Sequence, residues 1–224
     1  TCQPSEEAKL AMLLYSADLL SRHGRPSNDL RLTLRPVLFM TVTIGALLMG
    51  EPDLGTVVIL CAIVGSLLFF AGIRLRVLGL VGLTGLAGLA ALSLSADYRR
   101  QRLLSMLDPW ADPLNTGWQT IQAGVAVSNG GIGGIGLGAS RAKWGFLPYA
   151  HTDFIYAIVA EEWGLVGAGL VILAYLVIGL VGLSTALRAP DPFGQLLAAG
   201  VTCWVVVQAF VNIGAVLGVL PITG

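Results

Sequence analysis

The run WGLVGAGLVILAYLVIGLVGLSTAL, Trp163–Leu187, decides the fold class. It carries no charge and is longer than the roughly 20 apolar residues a helix needs to cross a bilayer. Lipid offers no partner to backbone N–H and C=O groups, so only helices and closed barrels span it. The run lacks the period-2 alternation of a barrel strand, which leaves the helix. Working outward, similar apolar segments occupy roughly 5–21, 36–50, 55–73, 77–96 and 193–220. The expected architecture is therefore an all-α, polytopic transmembrane helical bundle. It forms a single membrane domain over 1–224, with one large loop over 97–152. Composition agrees. Of 224 residues, 55% are hydrophobic and 12% charged, against about 25% charged in soluble domains, and mean hydropathy is +0.80. The 29 glycines suit close helix packing in lipid. A net charge of zero argues against nucleic acid as a partner. Cys2, Cys61 and Cys203 are far apart, lack metal-ligand spacing and read as small buried residues.

Charge assigns the sides. Lys and Arg are enriched in cytoplasmic loops. Arg22, Arg25, Arg31 and Arg35 mark one such loop, Arg74 and Arg76 a second, and Arg188 a third. Counting spans puts all three on one side. The opposite, outer side receives Gln3–Lys9, the Glu51-Pro52-Asp53 turn, the 97–152 loop and Pro221. A loop that long without regular structure of its own is usually functional.

Candidate chemistry concentrates just before the deciding run, in KWGFLPYAHTDFIYAIVAEEWG, Lys143–Gly164, the most polar and aromatic stretch of the chain. Asp153 is the leading candidate. It reads either as a first-turn helix cap or as a general base at the membrane surface. His151 reads as a structural hydrogen-bonding residue or as a group titrating near neutrality. Glu6 and Lys9 share one helical face, as a local ion pair or as groups lining a polar cavity. Glu51 and Asp53 form a solvated turn or a cation site. Arg99, Arg100, Arg102, Arg141 and Lys143 would meet lipid headgroups or a diphosphate. Glu161 and Glu162 stand at a membrane boundary, where one of them would pair with a loop arginine. Gly131–Gly136 matches G-x-G-x-x-G, but no strand precedes it, so a dinucleotide site is excluded by context.

An ordered set of motifs then stands out. It comprises Gln3-Pro4-Ser5-Glu6 with Lys9, Glu51-Pro52-Asp53-Leu54-Gly55-Thr56, Asp108-Pro109-Trp110 with Asp112-Pro113, and Gly117-Trp118-Gln119. Gly136-Leu137-Gly138, Leu147-Pro148, His151-Thr152-Asp153-Phe154-Ile155, Glu161-Glu162 with Gly164, Asn212-Ile213-Gly214 and Leu220-Pro221-Ile222-Thr223-Gly224 continue it. Together these resemble the SEDS family of shape, elongation, division and sporulation proteins, which includes FtsW, RodA and SpoVE. The resemblance covers essentially the whole chain. It implies a fragment of a ten-helix protein, without the first helices and the last.

The resemblance further implies an inverting peptidoglycan glycosyltransferase in the bacterial cytoplasmic membrane, polymerising lipid II on the extracytoplasmic face for septal wall synthesis. Asp153 matches the family's essential aspartate. Glu6, Lys9, Arg99, Arg102, Arg141, Lys143, His151 and Thr152 become the expected substrate-binding residues, with no protein metal site assigned. A divalent cation, magnesium or manganese, is an alternative to the basic side chains for neutralising the diphosphate. Expected partners are lipid II, the undecaprenyl-diphosphate-linked glycan, a class B penicillin-binding protein and other divisome membrane proteins. The chain departs from the family in places. Tyr149 stands where Glu is common, Gly145 where many division-type members have an acid, and Glu51 where Gln is frequent. Ala150-His151-Thr152-Asp153 favours the division branch over rod-shape elongation. A lipid II flippase and a non-catalytic division scaffold are the competing functions.

Overall fold

A computed structural model describes residues 4–22, 30–50, 54–94, 100–101, 104–106, 108–115, 117–144 and 152–221. The described residues form helices, turns and loops, with no strand among them. Helix α1 spans Pro4–Arg22, α2 Leu30–Leu48, α3 Leu54–Phe70, α4 Leu75–Leu94 and α5 Trp118–Gly130. Helix α6 spans Ile155–Arg188 and α7 Pro192–Val216. By length and composition α4, α6 and α7 can each cross a membrane, while Leu34–Leu48 and α3 are shorter apolar helices.

Local chemistry sets several of these ends. Glu6 and Glu7 lie in the first turn of α1 and Arg22 in its last, so both ends complement the helix dipole. Asp191 caps α7, accepting from the Gly194 N–H at 2.6 Å, with Pro192 in the first helical position, where its missing N–H costs nothing. Helix α2 departs from the expected start at 36. It begins at Leu30 and runs through Pro36. A proline removes one backbone hydrogen bond, and here the fully buried Val37 follows it directly. Helix α7 stops at Val216 rather than 220. The Gly218 and Val219 N–H groups turn back onto Ala215 and Gly214, with Gly218 at φ 70.

Contacts group the chain into two compact units. The first comprises 1–91 and 177–208, the second 92–176 and 209–224. In the first, α3 is the central helix, with nine buried residues from Gly55 to Leu68, in contact with α1 and α2. The 192–208 part of α7 also touches α3, where the Cys203 thiol donates to the Ala62 carbonyl at 3.5 Å. No residue of α4 is buried. The second unit packs α5 and the start of α6 around Ala123, Ala126, Phe154, Tyr156, Ala157 and Ala160.

Helix α6 is not one rod. Its 34 residues would measure about 51 Å against a hydrocarbon core of about 30 Å. Gly164, at φ 65 and ψ −157, breaks it. The short segment 155–163 precedes the break, and 165–188 after it is by itself long and apolar enough to cross a membrane.

Candidate functional site

Asp153 lies in the Thr152–Phe154 turn that leads into α6, and it is exposed, as is Thr152. The neighbouring Phe154 is 1% exposed and belongs to the core of the second unit. Its carbonyl accepts from the Ala157 N–H at 2.9 Å. A buried ring thus fixes the backbone that carries the carboxylate, and a helix begins directly behind it.

The other end of the short segment holds two adjacent carboxylates that do different work. Glu161 is 1% exposed. It accepts from the Ser140 hydroxyl at 2.5 Å and from the Ala142 N–H at 3.3 Å. Glu162 accepts from the Ser140 N–H at 3.3 Å and pairs with the Lys143 ammonium at 3.0 Å. That ammonium also donates to the Gly138 carbonyl. The backbone of Gly138 holds the Glu162 carboxyl below the usual carboxylate range, helped by Lys143 and Ser140 and opposed by burial. The pair therefore clamps 140–143 from two sides. The expected arginine partner is not found among the described residues; the cation is Lys143. Arg141, inside the clamped segment, is exposed.

The glycine-rich segment before the clamp closes the break in α6. Interrupting a helix leaves carbonyls on one side and N–H groups on the other without partners. Here the Ile135 and Gly136 N–H groups donate to the Glu161 and Glu162 carbonyls, at 3.0 and 3.2 Å. In return the Gly131 and Ile132 carbonyls accept from the Leu165 and Val166 N–H groups, at 2.9 and 3.4 Å. A Cβ on Gly164 would overlap the backbone of Ile132 and Gly134, and one on Gly134 would overlap that of Glu162. The G-x-G-x-x-G pattern thus serves a backbone junction.

A cavity of about 220 Å³ lies beside this junction, lined by Gln122, Val125, Ala126 and Asn129 of α5 and by Arg141, Ala142 and Glu161. Sequence reasoning passed over Gln122, Asn129 and Ser140. The signal for the first two was the i, i+7 spacing of carboxamides on a short amphipathic helix.

Within the first unit, Lys9 is buried at 1% side-chain exposure and Glu6 is 43% exposed. They meet at 2.7 Å. The Lys9 ammonium also donates to Gln208 Oε1 at 3.5 Å and sits 5.2 Å from the Trp204 ring centroid. Gln208 Oε1 further accepts from Trp204 Nε1 at 2.7 Å. Trp204 and Gln208 carry no motif; their one sign in the sequence is a polar pair four apart on an apolar helix. Arg99, Arg102, His151, Glu51 and Asp53 lie outside the described residues. Among the described residues no three His, Cys, Asp or Glu side chains converge.

Comparison with known proteins gives a consistent result. The profile of the FtsW, RodA and SpoVE cell cycle proteins matches residues 1–224. A Mycobacterium tuberculosis protein named probable peptidoglycan glycosyltransferase FtsW is 44% identical over 222 residues, 99% of this chain and 42% of that protein. Stage V sporulation protein E of Bacillus subtilis is 41% identical over 222 residues, 99% of this chain and 61% of its own length. A solved chain from a peptidoglycan synthase complex, described as coordinating polymerization and crosslinking, superposes with a TM-score of 0.76 at 32% identity. That match covers 100% of this chain and 62% of the solved one. The chain thus spans less than two thirds of the length of each of these. With all 224 residues matched to the profile, three helices among the described residues long and apolar enough to cross a bilayer, and the Asp153 turn in the order its motifs require, the chain belongs to the FtsW/RodA/SpoVE family of membrane proteins.

Proposed function

We propose that the parent protein is a peptidoglycan glycosyltransferase that polymerises lipid II on the outer face of the bacterial cytoplasmic membrane, in the division branch of the family. The observation that carries this reading is the exposed Asp153, held at the start of α6 by the buried Phe154, in a chain whose relatives bear that activity in their names.

The chemistry follows from what the turn presents. A hydroxyl of the acceptor sugar attacks the anomeric carbon of the donor from the face opposite the diphosphate. Asp153 takes the hydroxyl proton as the new C–O bond forms. The bond to the diphosphate breaks, and the lipid-linked leaving group departs with the electron pair. The configuration inverts in one displacement, so no covalent intermediate is needed. Basic side chains stabilise the leaving charge; Arg99 and Arg102 of the long loop are the candidates. A class B penicillin-binding protein would crosslink the product, with other divisome proteins alongside.

The test is lipid II polymerisation by the full-length protein purified with its transpeptidase partner, comparing wild type with Asp153→Asn. The swap keeps shape and removes the base. Loss of glycan chains by about a hundredfold or more, with the complex intact, is the expected result. Undiminished polymerisation removes Asp153 from this role and favours a scaffold. A well-folded wild-type complex that moves lipid II between leaflets without polymerising it points to transport.

A further inference from the structure

The cavity beside the α6 junction has a lining that selects for one kind of ligand. Gln122, Val125, Ala126 and Asn129 fall at i, i+3, i+4 and i+7, so they form a single stripe of α5. The two carboxamides stand at its ends, about 10 Å apart along the axis, with an apolar patch between them. Neither carboxamide hydrogen-bonds to any other described residue. Arg141 and Glu161 face the stripe across the cavity. The clamp holds both: Glu161 through Ser140 and Ala142, and Arg141 because the residues on either side of it are tied down.

One guanidinium and one carboxylate cancel, so the cavity offers no net charge to a diphosphate, and Glu161 would repel one. Two carboxamides, a carboxylate and a guanidinium around an apolar centre match a neutral pyranose instead. Such a ring has hydroxyl and acetamido groups on its rim and C–H bonds on its face. The volume, about 220 Å³, is that of one ring rather than a strand.

We infer that this cavity is a saccharide subsite, taking one N-acetylated sugar ring of the glycan substrate between α5 and the Arg141–Glu161 wall. This rests on the glycosyltransferase reading above and assigns a place to the sugar rather than to the leaving group. It moves Arg141 from the expected diphosphate role to sugar recognition. Glu161 closes the segment that begins beside Asp153, about 12 Å along it. A ring seated there extends the substrate away from the reacting centre, as an acceptor strand requires.

The experiment measures binding, not turnover, on the full-length protein in detergent. The probes are a β-1,4-linked N-acetylglucosamine tetrasaccharide and inorganic diphosphate. The tetrasaccharide should bind wild type. Gln122→Ala and Asn129→Ala should each weaken it about three- to tenfold, the loss of one or two neutral hydrogen bonds. Their unfolding midpoints should stay put, since neither side chain is buried. Diphosphate should not compete. Unchanged affinity in both variants, displacement by diphosphate, or no saccharide binding at all overturns the subsite. The two readings fail separately. Polymerisation without variant-sensitive saccharide binding removes the subsite alone; saccharide binding at the cavity without polymerisation removes the glycosyltransferase reading alone.

Discussion

Lys9 and Glu6 share a hydrogen bond but not an environment, and the asymmetry is measurable. Removing Glu6 leaves a buried ammonium with only Gln208 and the Trp204 ring, and an uncompensated buried charge costs ~3 kcal/mol or more. Removing Lys9 leaves a carboxylate that is nearly half exposed, and Met keeps the apolar stem. In thermal unfolding of the full-length protein, Glu6→Ala should therefore cost ~3 kcal/mol and Lys9→Met under ~1 kcal/mol. Equal losses would mean that burial of Lys9 is not what the pair is for. The three-residue spacing already put Glu6 and Lys9 on one face in the sequence. What it could not reveal was Gln208, because that contact closes across 199 positions and leaves no local pattern. The neighbouring acids Glu161 and Glu162 were visible as boundary residues. Their division of labour was not, since a serine hydroxyl and backbone N–H groups as partners have no spacing to read.

At the scale of elements, the apolar runs were legible because hydropathy over some twenty residues is a property of the run itself. The junction in α6 was less so. The run to Leu187 and the glycine-rich loop could both be marked, but four backbone hydrogen bonds between them involve no side chain. Only the glycines betray it, through what they forbid. Gly164 adopts a backbone region that other residues pay ~1–3 kcal/mol to enter, before any overlap with Ile132 and Gly134 is counted. Gly164→Ala should cost ~3 kcal/mol or more and lower the yield of folded protein. Gly133→Ala, with nothing within 4 Å of a new Cβ, should change stability by no more than ~1 kcal/mol. A tolerated Gly164→Ala would show that the break is not enforced by the loop. Pro36 taught the opposite lesson: a residue that usually marks a boundary sits inside α2, in its second turn.

Across the whole molecule, α4 stands apart: it is long and apolar enough to cross a membrane, yet takes no buried place among the described helices. Nothing in it is buried, and Leu83 at its middle is 67% exposed. An arginine at the centre of a membrane helix costs ~3 kcal/mol of insertion free energy. Leu83→Arg should lower the inserted fraction of α4 accordingly, measured by glycosylation mapping; unchanged insertion would mean that the helix is shielded from lipid by another element. The division into two units was not legible, because each unit closes by recruiting late residues to early ones, and sequence order hides that. It also carries a consequence for biosynthesis. Lys9 is made long before Trp204 and Gln208. At roughly 5–20 residues per second the gap of 199 positions lasts on the order of ten to forty seconds. Throughout that interval Glu6, one turn away, is the only one of the three partners yet synthesised. Its first service is as an escort for a cation whose permanent neighbours have not left the ribosome.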